Sequence, residues 1–223
     1  MPKMKKLALL SLLALAATAH ADEREWHTYK ELVEGSRIDK FYAIPPAERD
    51  KLQLYVKIVP KNKAIRRDQL TLTVLDGSER QSLPILAHGR FNLVPNQKWL
   101  NDDAKTLISL PASEKAGFGM DMLTPLPDGS QWHYTQVMSS VAQSNAAIKK
   151  MAGALSLFAP TIKVVVFKFD KPAQLRIESK DGVKTYASDA KGYIKLSPDT
   201  GLLKENPLMS ASERPFEAEL DTE

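Results

Sequence analysis

The chain has no cysteine among its 223 residues, and aromatics make up only 7%. Without thiols there is no disulfide framework, no thiolate metal centre and no cysteine nucleophile. Long apolar runs are also missing. The longest, Leu7–Ala17, is 11 residues broken only by Ser11, well short of the ~20 that a membrane-spanning helix needs. Most catalytic signatures are absent as well. There is no P-loop, no Rossmann glycine series, no Gly-x-Ser-x-Gly and no His-x-x-x-His. A composition of 43% apolar and 26% charged residues excludes a wholly disordered chain.

The first 21 residues read as a secretory leader. Lys3, Lys5 and Lys6 precede the apolar run, and Ala19-His20-Ala21 supplies a small-x-small cleavage site. The leader carries three lysines and no acid, so its removal lowers the formal charge from +4 to +1 and leaves 202 residues. That near-neutral remainder gives no electrostatic basis for nucleic-acid binding. The one basic cluster, Lys57 to Arg67 (Lys57, Lys61, Lys63, Arg66, Arg67) with Lys51 just before it, contains no aromatic for base stacking and reads as a solvated strand-to-strand loop. The expected location is the periplasm or the medium, with no integral span after cleavage.

Two stretches resemble each other. Leu70–Asp76-Gly77 is followed twelve residues later by Gly89-Arg90-Phe91, then Pro95. Gln174–Asp181-Gly182 is followed ten residues later by Gly192-Tyr193, then Pro198. Both read strand, Asp-Gly turn, strand, Gly turn, strand, because Asp-Gly supplies the positive φ a tight hairpin needs and proline ends a ladder. Further strands are expected over Leu52–Val59, Thr106–Leu110, Ile162–Phe169 and Phe216–Leu220.

This hairpin series, Asp76-Gly77 with His88-Gly89-Arg90-Phe91 and Asp181-Gly182 with Lys191-Gly192-Tyr193, resembles the small sandwiches of prealbumin-type and carboxypeptidase-regulatory-type domains. The resemblance implies a scaffold or binding unit with no catalytic residues to carry over. The expected fold is mainly β: two small β-sandwich-like halves joined by an amphipathic α-helix, each half with its own core. The boundaries fall at 1–21 (leader), 22–46 (helical N-terminal segment), 47–127 (first half), 128–160 (aromatic segment and connecting helix) and 161–223 (second half with an acidic tail). The helix is read over Met138–Phe158 from the spacing of Val137, Val141, Asn145, Ile148, Met151, Leu155 and Phe158, with Gly153 as a point of early ending. A second helix is read over Glu23–Val33. The glycine- and proline-bearing stretch 112–129 reads as a linker, with Gly117-Phe118-Gly119 as a flexible loop.

Chemistry-bearing constellations are few. Asp102-Asp103 reads as a turn. Met120 and Met122, at i and i+2 on a strand, share a face; with His133 they form a soft donor set suited to Cu(I). Trp132 and Tyr134, flanked by Gln131 and Gln136, offer a surface for stacking a small ligand or a sugar. No cofactor is implied. The reading is a non-enzymatic exported protein whose partner is a protein or polymer of the cell envelope, contacted through sandwich surfaces and edges. The small-ligand and Cu(I) readings stand as alternatives.

Overall fold

The computed structural model describes residues 23–223, so the leader lies outside the described residues. In chain order, the first half places β1 (Arg24–Thr28), α1 (Tyr29–Ser36), α2 (Ile38–Ala43), β2 (Gln53–Pro60), β3 (Leu72–Asp76), β4 (Glu79–Leu83), β5 (Arg90–Phe91), α3 (Gln97–Asn101), β6 (Lys105–Ile108) and β7 (Ala116–Leu123). The second places β8 (Gln131–His133), α4 (Tyr134–Met138), α5 (Ser140–Ala152), β9 (Val164–Lys168), β10 (Gln174–Ser179), β11 (Gly182–Ala187), β12 (Tyr193–Leu196), α6 (Thr200–Glu205), β13 (Leu208–Ala211) and β14 (Glu217–Asp221).

The protein is mainly β, with three antiparallel sheets and few helices. Two sheets have four strands, in the orders β1-β6-β3-β4 and β11-β10-β13-β8. The third has six, β12-β9-β14-β7-β2-β5, and draws three strands from each half. The halves therefore do not close separate sandwiches. Their buried apolar side chains form one cluster that runs from Tyr29 to Leu220, where two cores were expected. Each four-stranded sheet packs on the six-stranded one through a tryptophan. Trp26 of β1 sits edge-on to Phe91 and Phe118, and Trp132 of β8 stacks on Phe167 at 6.2 Å. No helix among the described residues is long and apolar enough to cross a membrane.

Three segments depart from the sequence expectation, each for a physical reason. Residues 24–28 form a strand rather than the start of a helix. Thr28 is the N-cap of α1, its hydroxyl accepting from Glu31 N while the Glu31 carboxylate accepts from Thr28 N. This Thr-x-x-Glu capping box sets the start at Tyr29, six residues later than periodicity alone suggests. Gly35 lies inside α1. It lets the helix approach Phe118, whose Cζ would lie 2.6 Å from a Cβ built there. The turn between α1 and α2 falls on Arg37, in the left-handed region at φ 56°.

The second departure is the supposed linker. Residues 116–123 are β7, paired with β2 from Leu123↔Gln53 to Ala116↔Pro60. Gly117 and Gly119 are ladder residues, and the irregular run that follows β7 is the short stretch 124–130. The third is the acidic tail, whose expected strand over Phe216–Leu220 is present but central. β14 lies inside the six-stranded sheet between β9 and β7. Glu217 and Glu219 are matched by cations from other strands of the sheet, as described below.

The expected helix is present in pieces, α4, α5 and a 3-10 turn over Gly153–Phe158. It lies between β8 and β9 in chain order. The break falls at Gly153, whose φ of 56° and ψ of −124° are open to glycine but not to most residues.

Candidate ligand pocket

Strand alternation and the helix break together make a cavity. Leu54 on β2, Met120 and Met122 on β7 and Leu220 on β14 point to one face of the six-stranded sheet. Ile148 and Met151 of α5 cover that face, and past Gly153 the chain turns off the helical track. Leu155 and Phe158, which a continued helix would place on the buried stripe, stand at the opening instead. The cavity has a volume of about 470 Å³, within the ~300–1,000 Å³ of ordinary small-molecule sites. Its lining is apolar except for Arg37.

Its rim is apolar too. Met120 is 45% exposed, Leu155 58%, Phe158 87%, and neighbouring Leu157 90%. A soluble chain normally hides such a cluster, so a contiguous exposed apolar patch beside an apolar cavity points to a contact surface.

The two methionines singled out in the sequence thus do share a face and a cavity. His133 does not join them. It is exposed on β8, in a different sheet, with Nδ1 3.1 Å from the carbonyl oxygen of Asn206. Among the described residues no group of three or more His, Asp or Glu side chains is placed to hold a metal ion. Trp132 and Tyr134 offer no open stacking surface, being 3% and 1% exposed. The pleat of β8 explains this: Gln131 and His133 point out, so Trp132 points in. Tyr134 then opens α4 with its ring inward and its hydroxyl accepting from Asp199 N at 3.0 Å. Burial pushes that hydroxyl's pKa up, against the hydrogen bond that lowers it. Gln131 is exposed, and Gln136 caps α4 by accepting from His133 N at 2.7 Å.

The profile of the family described as "Protein of unknown function (DUF2987)" matches residues 40–169, more than half of the chain. The chain belongs to this DUF2987 family. No curated protein and no solved structure matches it. The DUF2987 span runs from within α2 to just past β9. It contains Leu54, Met120, Met122, all of α5 and the exposed turn through Phe158, while Arg37 and Leu220 lie outside it.

The opposite face of the same sheet carries charge. Arg90, 5% exposed, donates Nε to Asp121 Oδ2 at 2.6 Å and forks onto both oxygens of Glu217. Lys57 pairs with Asp121, and Lys168 bridges Glu217 and Glu219 beneath the Tyr193 ring. Three cations meet three carboxylates. Burial opposes the charge on Asp121 and on Glu217, but hydrogen bonds from Lys57, Arg90 and Lys168 outweigh it, so both carboxyls are held below their ordinary range. Burial likewise disfavours the Lys168 ammonium, and Glu217 and Glu219 reverse that, so its pKa is raised. Every member is matched, which marks this network as structural. It was not legible in the sequence, although Met120-Asp121-Met122 carries the alternation that puts Asp121 on the far face.

Proposed function

We propose that the protein is an exported, non-enzymatic binding protein of the cell envelope, built as a tandem of two similar units, that takes an apolar ligand in the pocket at their junction. The observation that carries the reading is the apolar cavity with Met120, Leu155 and Phe158 exposed at its mouth.

Support for the tandem comes from element order and from local chemistry. The sheet orders match when β1–β7 are laid in turn on β8–β14. Trp26-His27 on β1 corresponds to Trp132-His133 on β8. The tyrosine opening the next helix does the same job in both units. Tyr29 Oη accepts from Asn96 N, and Tyr134 Oη accepts from Asp199 N. Asn96 and Asp199 are the N-caps of α3 and α6. On this scheme β7 and β14 are equivalent strands that meet at the centre of the six-stranded sheet, with α2 and α5 side by side over its apolar face. The pocket sits there, at the kind of junction between units where ligand sites are common.

Titration of the full chain with N-phenyl-1-naphthylamine, whose emission rises in apolar surroundings, tests the binding reading. The expected result is saturable enhancement with one site. Met120→Glu, at a half-exposed position, is expected to keep the fold and to weaken binding about tenfold or more by placing a carboxylate in the mouth. No enhancement, or the same enhancement in the variant, contradicts the reading.

A further inference from the structure

Resting on that reading, we infer that the ligand is a free long-chain carboxylate, a fatty acid, whose chain fills the apolar cavity and whose head meets Arg37. Of the residues lining the cavity, Arg37 alone carries charge. Of the acids near it, neither reaches the guanidinium. Glu34 lies 4.0 Å from Lys30, and Asp39 meets Lys40 through Oδ2 at 3.3 Å while its Oδ1 is buried without a partner. Among the described residues the Arg37 guanidinium makes no ion pair and no hydrogen bond. It is an exposed cation left over at the entrance of an apolar hole.

The backbone at Arg37 sharpens the point. Its φ of 56° lies where a side chain costs energy and glycine is the ordinary choice. A position that turns α1 into α2 would be served better by glycine if turning were its only task. A carboxylate is the head group that suits the planar guanidinium fork. A bulky diacyl lipid does not fit a cavity of about 470 Å³ as readily as one chain does.

Isothermal titration calorimetry of the full chain with decanoate, dodecanoate, dodecanol and dodecylamine, each below its micelle concentration, tests this. Affinity is expected to rise about fourfold per added methylene until the cavity is full. Dodecanoate is expected to bind about 1.5- to fivefold more tightly than dodecanol, the range of an exposed ion pair, and dodecylamine more weakly than either. Arg37→Gly, which suits the left-handed backbone, is expected to keep the fold and the chain-length dependence while losing the preference for carboxylate. If all three heads bind alike, or Arg37→Gly changes nothing, the carboxylate inference is overturned and the apolar pocket stands. If no chain binds, both fall. If the protein binds vesicles of anionic phospholipid but no free carboxylate, the exposed turn is a membrane contact and the inference is overturned.

Discussion

Arg90→Met is expected to destabilise the protein by about 3–5 kcal/mol, the loss seen when one member of a buried ion network is removed and its partners remain. The change leaves Asp121 and Glu217, 6% and 9% exposed, without their shared guanidinium. Against a typical total of roughly 5–15 kcal/mol, urea unfolding should show a large drop in midpoint. Arg90→Lys is expected to recover little, because a single ammonium lacks the planar fork with which Arg90 meets both Glu217 oxygens while its Nε meets Asp121. Asp121 and Glu217 lie on β7 and β14, so Arg90 ties the two halves of the chain together.

The same network sets an acid limit. Asp121 and Glu217 are held below their ordinary values of 3.8 and 4.5. Their stabilisation is therefore complete above those values and is lost as the pH falls through the lowered folded-state pKa. Lys168, raised above its ordinary 10.5, contributes fully below that value and less as the pH rises through its folded-state pKa. Stability from this network should be flat from about pH 5 to pH 10 and fall on both sides. In Arg90→Met the acid limb should flatten, since part of the force depressing the two carboxyls is gone. An unchanged acid limb would show that Arg90 is not what holds them ionised.

Trp132→Ala is expected to cost about 3–5 kcal/mol, as large-to-small changes of buried aromatics do. The ring fills the contact between β8 and β9 by stacking on Phe167, itself fully buried. Trp132→Phe is expected to recover most of the loss. The indole Nε1 is buried without a hydrogen-bond partner, so deleting it removes an unmet donor and offsets part of the lost volume. Thermal unfolding of both variants checks this. A Trp132→Ala variant with native stability and altered ligand binding would place the ring at a site rather than in the core.

Much of the strand pattern was legible because it is local. The hairpins β3-β4 and β10-β11 follow from alternation bounded by Asp-Gly. Even there the turns differ: Asp76 ends a strand, whereas Asp181 lies within the turn and Gly182 opens the next strand. What was illegible depended on partners far away in sequence. β7 carries two glycines and looks like a loop until β2 is laid beside it. β14 was legible as a strand, but its alternating acids gave no sign that it sits inside a sheet facing Arg90 and Lys168. The pocket is a similar case. Gly153 announced a break and Met120 with Met122 announced a shared face. That the break would leave Leu155 and Phe158 in water follows only from where the chain goes next, to Ile162 and β9. Arg37 carried no signal beyond being a lone cation between two short helices.

The most direct test of ligand capture at this pocket is site-specific photo-crosslinking in cells that make the full chain, with a benzophenone side chain at position 155 and, as control, at position 183. Both positions are about half exposed, 58% and 54%, but only Leu155 lines the cavity. Mass spectrometry is predicted to find a small adduct of single-chain carboxylate mass at 155 and none at 183. A protein adduct at 155, or the same small adduct at both positions, would contradict the account.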